Sequence, residues 1–207
     1  MVLVGQYDSP YVRRVAVSLR VLGLSYEHDT RSVFADFEAM RRVNPLARIP
    51  SLALDDGEIV IDSAAILDWL DESVGPKRAL IPRSGAARRR ALRLIALATG
   101  AIDKIGAAVY ERFIRPPALR WPEWIERCTV QGTGALAALE AEPWPEGTEL
   151  EQAQITTACM LRWLQIADAQ LLGGNRYPRL VALSQRLEQR PEFQATFPAD
   201  YAIPRSA

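Results

Sequence analysis

Residues 2–23 read VLVGQYDSPYVRRVAVSLRVLG, and this stretch decides the fold. The apolar run of residues 2–5 ends at a glycine and predicts a short buried strand. Ser9 and Pro10 then open a helix. Ser9 suits the N-cap, and Pro10 suits the first helical position, where its missing N–H costs nothing. Val12, Val15, Ala16, Leu19 and Leu22 follow at helical spacing, and Gly23 is a natural stop.

Outward from this unit, residues 25–29 (SYEHD) predict a second, more exposed strand, and 34–42 a short irregular helix. Strands at 50–54 (PSLAL) and 58–61 (EIVI) flank Asp55-Asp56-Gly57, a strong hairpin signal. Ser63 is expected to cap a helix carrying Ile66, Leu67 and Leu70 on one face. The order β-α-β-α-β-β-α requires a right-handed parallel crossover first and an antiparallel hairpin last. The expected fold is therefore a mixed four-stranded sheet with helices over residues 1–75. Residues 74–84 (VGPKRALIPRS) read as a linker. Beyond it the strand signals cease. Helices at 86–114, 121–140, 150–171 and 178–190 predict an all-α domain over 85–207, with residues 143–147 (PWPEG) as a loop.

Composition removes several classes of function. The 207 residues hold 25 Lys+Arg against 25 Asp+Glu, so no global field steers nucleic acid or an anionic membrane. One histidine, His28, excludes a histidine-rich metal site, and no metal is expected. A Ser-His-Asp triad would need His28, which lies in a strand with no nucleophile elbow near it. Cys128 and Cys159 form no CxxC pair and read as core residues. The run Arg88-Arg89-Arg90 with Arg93 reads as a solvated or ion-paired face. MVLVGQYDSP turns polar within five residues, and no apolar run approaches about 18 residues, so neither a signal peptide nor a membrane span is expected and the cytoplasm is the expected location.

Three local features carry chemistry: Ser9-Pro10 after the first strand, Ile49-Pro50 in the string Asn44-Pro45-Leu46-Ala47-Arg48-Ile49-Pro50, and Asp62-Ser63 in DSAAILDWL. In this order and at these distances the chain resembles the soluble glutathione transferases over nearly its full length, and is most similar to small bacterial members with serine after the first strand. The resemblance implies a thioredoxin-like N-terminal domain, an all-helical domain lining an electrophile site, a cis Ile49–Pro50 bond, glutathione as co-substrate and a homodimer. It implies that Ser9 is catalytic, donating a hydrogen bond to the glutathione sulfur. It also implies that Ile49, ahead of Pro50, pairs with the cysteinyl backbone, that Asp62 and Ser63 receive the γ-glutamyl end, and that Arg48 meets the glycyl carboxylate. Tyr7, Tyr110 and Phe113 are expected in the second-substrate pocket, the alternative for Tyr7 being that it fills the strand–helix turn. Two alternatives stay open at Ser9: it serves only as an N-cap, or Tyr7 is the activating hydroxyl. Conjugation of a small electrophile leads. Glutathione-dependent peroxide reduction and non-catalytic partner binding are the alternatives. One departure concerns helix starts. The usual Ser/Thr-x-x-Asp capping box is replaced by Glu151-Gln152-Ala153-Gln154, so the box is expected to be lost.

Overall fold

The computed structural model describes residues 1–198. Strand β1 (Val2–Val4), helix α1 (Pro10–Val21), β2 (Glu27–Asp29), α2 (Phe37–Val43), β3 (Ser51–Ala53), β4 (Ile59–Ile61) and α3 (Ser63–Val74) follow the expected order. The four-stranded sheet runs β2-β1-β3-β4. β1 lies parallel to β2, with Leu3 opposite His28, and antiparallel to β3, with Leu3 opposite Leu52. β3 and β4 close the hairpin, with Leu52 opposite Val60. Helices α4 (Gly85–Phe113), α5 (Pro122–Glu140), α6 (Gln152–Ala167), α7 (Pro178–Glu188) and α8 (Pro191–Gln194) make up the rest. α4 and α5 pack closely because Gly132 has no side chain: a Cβ there would lie 2.4 Å from Cγ1 of Ile105. None of the helices is long and apolar enough to cross a membrane, among the described residues.

Three local expectations are corrected. Residues 150–171 are not one helix. α6 ends at Ala167, and a 3₁₀ turn (Ala169–Leu172) follows. Asp168 breaks the run with an extended φ of −158°, and its carboxylate accepts from Arg112 on α4 at 2.5 Å. The capping box at α6 is not lost. The Gln154 amide oxygen reaches back to the Glu151 N–H at 3.0 Å, so glutamine does what the acid usually does at that position. The cap of α3 is Asp62 rather than Ser63, with the Asp62 carboxylate accepting from the Ala64 N–H at 2.8 Å.

α1 is the centre of the molecule. Val12, Val15 and Leu19 belong to one apolar cluster with Leu3, Leu52 and Ile66 on the sheet side and Ile155, Leu183 and Phe193 on the helical side. Arg13, 1% exposed, crosses between the two sides. It donates in a fork to Glu188 on α7 at 2.6 and 2.7 Å, and to the carbonyls of Thr196 and Phe193 at 2.9 and 3.0 Å. Every donor direction it uses ends on an oxygen, the condition for holding a guanidinium out of water. The linker is fixed in the same way. Asp71 on α3 accepts from the N–H groups of Leu80 and Ile81 at 2.7 and 3.0 Å, and the Leu80 carbonyl accepts from the Gln152 N–H. Arg90 and Arg93 of the basic run both pair with Glu142.

The Arg13–Glu188 fork gives an asymmetric prediction. Glu188→Ala strands a buried cation and should cost about 3–5 kcal/mol in urea unfolding. Adding Arg13→Met should recover part of that loss, because an apolar side chain needs no counter-charge. A double variant less stable than Glu188→Ala would contradict this.

Candidate functional site

Two adjoining cavities lie where the starts of α1 and α3 meet the loop before β3. The larger, about 440 Å³, is lined by Ser9, Arg48, Ile49 and the inner face of α4 at Ile102, Asp103, Gly106 and Tyr110. The smaller, about 40 Å³, is lined by Tyr11, Arg48, Ile49, Pro50, Asp62 and Ser63. Tyr11, Arg48 and Ile49 line both, so the two form one trough with Ser9 at one end and Asp62-Ser63 at the other.

The loop in the middle is built around Asn44. Its amide donates to the Arg48 carbonyl at 2.9 Å, its amide oxygen accepts from Leu46 N–H at 3.0 Å, and its carbonyl accepts from Ala47 N–H. This turn presents Arg48 and Ile49 to the trough, and the Ile49–Pro50 peptide bond is cis. Gly5 makes room for it: at φ 128°, a Cβ would lie 2.6 Å from Val12 and 2.8 Å from the Cβ of Ile49.

Ser9 is the N-cap of α1, but loosely. Its hydroxyl accepts from the Val12 N–H at 3.4 Å, long for a hydrogen bond. That weak bond uses a lone pair and leaves the hydroxyl proton to the trough, beside the positive end of α1. Asp8 and Tyr110 stand on the same cavity wall. Burial raises the Asp8 carboxyl above its ordinary value, offset in part by the N–H groups of Ser9 and Asp8. Burial likewise raises Tyr110, with the Asp8 charge adding to it and Arg48 opposing. Tyr11 spans the trough floor, donating to Asp103 and to the Thr99 carbonyl on α4.

At the other end, Asp62 is held at φ 62°, ψ 140°, a conformation that side chains rarely adopt and that functional sites tend to store. Ser63 is 2% exposed, and its oxygen accepts two bonds from the equally buried Arg14, from Nε at 3.1 Å and Nη2 at 2.6 Å. With the oxygen's lone pairs so engaged, the Ser63 proton is left as a donor. Burial lowers the Arg14 guanidinium from its ordinary value, and its charge also lies 5.5 Å over the Tyr11 ring.

The trough thus gathers Ser9, Arg48, Ile49, Pro50, Asp62, Ser63 and Tyr110. It does not gather Tyr7 or Phe113. Tyr7 shares a hydrogen bond with Tyr26 at 2.8 Å and stacks on His28 at 3.9 Å, while His28 donates to the Gly5 carbonyl. Tyr7 sits in the turn after β1 and faces this stack, and it does not line the cavity that Ser9 lines. Phe113 lies a turn beyond Tyr110 and past the cavity's end. Sequence reasoning missed Asp8, Tyr11, Asp103, Phe34 and Trp163. The α4 residues were within reach, since Asp103, Gly106 and Tyr110 recur at helical spacing back from Tyr110. Arg14 gave no signal, because its partner lies 49 residues away. Cys159 is fully buried and its thiol is pushed up to about 12 by burial, so it takes no part.

Comparison with known proteins matches residues 3–78 to the family described as glutathione S-transferase, N-terminal domain. A glutathione transferase family member from Pseudomonas fluorescens Pf-5, solved with bound glutathione, is 37% identical with a TM-score of 0.85, covering 96% of this chain and 98% of that one. A glutathione S-transferase from Methylobacterium radiotolerans, in complex with glutathione sulfonate, is 29% identical with a TM-score of 0.89, covering 100% of this chain and 98% of that one. A probable maleylacetoacetate isomerase of Drosophila melanogaster is 28% identical over 206 residues, 96% of this chain and 81% of the relative.

Two outcomes are expected of the site's geometry. Ser63→Ala leaves Arg14 donors unmet in a buried place and should cost about 2 kcal/mol of stability, read by urea unfolding; an unchanged midpoint would contradict the Arg14 contact. Asp8 binds its proton more tightly folded than unfolded, so its ionisation subtracts stability as pH rises above the ordinary carboxylate range. Asp8→Asn should therefore raise the melting temperature at neutral pH, and the gain should vanish below about pH 4.

Proposed function

The chain belongs to the glutathione transferase family, and from that premise we propose that it ionises the thiol of glutathione for attack on a soft electrophile, by substitution or conjugate addition. The trough carries the reading. It sets a hydroxyl at one helix start, an anion-binding helix start at the other, and a backbone between them. An extended tripeptide with a carboxylate and an ammonium at one end and a carboxylate at the other has matching chemistry. In this reading Ser63 and the α3 N-terminus take the γ-glutamyl carboxylate, Asp62 its ammonium, Ile49 the cysteinyl backbone and Arg48 the glycyl carboxylate. The relatives solved with glutathione or its sulfonate support it.

The sulfur then lies at Ser9. A free thiol titrates near about 8.5, and bringing it to about 6.5 requires roughly 2.7 kcal/mol of preference for the thiolate. One hydrogen bond to an ion supplies about 1.5–3 kcal/mol, and the start of α1 adds a dipole of the right sign. No protein cysteine is required, and Cys128 and Cys159 are both buried. Similarity to the isomerase adds a second reaction of the same thiolate: reversible addition to a conjugated double bond, rotation, and departure of the sulfur. Peroxide reduction would use it too. A partner-binding protein without catalysis would have no use for the trough. We read the working form as a homodimer, the sheet half of one subunit against residues 86–110 of the other, acting in the cytoplasm. Light scattering that returned the mass of a single chain at micromolar concentration would overturn the dimer.

The deciding experiment is the ultraviolet absorbance of bound thiolate, titrated in wild type, Ser9→Ala and Tyr7→Phe. Ser9→Ala should leave glutathione affinity within a few-fold. It should raise the apparent thiol pKa by about one to two units and slow neutral-pH conjugation about tenfold or more, each unit being worth about 1.4 kcal/mol. Tyr7→Phe should leave the titration in place. If Ser9 is only a cap, Ser9→Ala will lower the melting temperature and move no titration.

A further inference from the structure

The 440 Å³ cavity carries a charge that the family reading does not explain. Its wall bears two carboxylates, Asp8 ahead of α1 and Asp103 on α4. Among the described residues that line it, Arg48 is the one cation, and Arg48 sits at the seam with the smaller cavity. Arg14 lies behind Tyr11 and does not line the cavity. It donates to the neutral Ser63 hydroxyl, and its charge acts on Asp103 from behind the wall, where Asp103 also accepts from the Tyr11 hydroxyl. Lys104, next to Asp103 in the chain, lines a different surface with Trp121 and Trp124. The same wall is also aromatic. Tyr110 and Phe34 meet edge to face, 6.3 Å apart, and Trp163 lies beyond Gly106.

We propose that the electrophile this cavity selects carries a positive charge, an ammonium or amidinium group held against Asp8 and Asp103 and the faces of Tyr110, Phe34 and Trp163. The proposal rests on the glutathione reading, because it assumes that Arg48 is occupied by the glycyl carboxylate. With Arg48 so neutralised, everything charged that remains on the wall is negative, and the glutathione thiolate adds one more negative charge. Aromatic faces attract cations, and more strongly where water is thinned. A carboxylate-bearing electrophile would meet like charge on each side of the cavity with no partner, so dicarboxylates are disfavoured.

The test uses three chloronitroarenes: neutral chlorodinitrobenzene, an anionic chloronitrobenzoate, and a cationic (chloronitrophenyl)trimethylammonium salt. In each, the sulfur bonds to the ring carbon bearing chlorine, chloride leaves with the bonding pair, and the thiol proton goes to solvent. Rates are taken as kcat/KM and divided by the uncatalysed rate with glutathione, which removes intrinsic reactivity. The cation should exceed the anion by about tenfold or more, with the neutral compound between them. Asp8→Asn and Asp103→Asn should each cut the cation-to-anion ratio several-fold. Any loss of folded protein cancels in that ratio. A ratio of one or less in wild type, with glutathione consumed, would overturn the proposal and leave the transferase reading standing. So would a ratio that neither substitution moves. If none of the three is consumed, the glutathione reading falls and takes this proposal with it.

Discussion

Two adjacent buried arginines on α1 hold this molecule together. Arg13 and Arg14 are both almost wholly out of water, and neighbours on a helix point about 100° apart. They therefore reach in different directions. Arg13 runs to Glu188 and the carbonyls after α7, and Arg14 to Ser63 at the start of α3. The remaining faces of α1 are filled by Val12, Val15 and Leu19 in a core shared with the sheet and with α6. Apolar packing alone would let the two sides slide. A buried guanidinium does not, because each donor needs its oxygen at one place.

The position of the trough follows from that constraint. The Arg14–Ser63 contact joins the starts of α1 and α3, which brings two helix N-termini to one side of the sheet. The Asn44 turn then fills the gap with backbone, and Gly5 lets Ile49 come against α1. Tyr11, reaching to Asp103, sets α4 as the opposite wall. On the glutathione reading, binding and folding are coupled at Ser63, because the oxygen that accepts from the buried Arg14 also orients the proton that would be offered to the ligand.

Much of this was legible in the chain. Helix α1, the hairpin and the three motifs rest on local rules: caps, proline positions, Asp-Gly turns and helical period. The departures have other sources. The resemblance puts Tyr7 in the pocket, but its direction is set by a stack on His28 from the neighbouring strand. It puts Phe113 there with Tyr110, and one helical turn carries Phe113 past the cavity. The break at Asp168 depends on Arg112, 56 residues away. The capping box reads as lost at Glu151-Gln152-Ala153-Gln154, yet Gln154 completes the half that the acid usually supplies. What the sequence hides is the long-range partner.

Asp8 is the residue whose presence needs a reason. A carboxylate beside Ser9 opposes a thiolate at the same helix start, and burial makes its charge dearer still. On the glutathione reading it is a handicap, partly cancelling what the Ser9 hydroxyl and the α1 dipole would contribute. With a cation in the cavity the sign changes. The substrate's charge screens Asp8, the repulsion on the sulfur falls, and the thiolate becomes easier to form at the moment its target is in place. On the reading of a cationic electrophile, Asp8 therefore restrains the thiol until the second substrate arrives. A neutral side chain there would give a more reactive binary complex and a less discriminating one. The whole-chain balance of 25 positive and 25 negative side chains conceals this, because selectivity resides in where two carboxylates stand rather than in net charge.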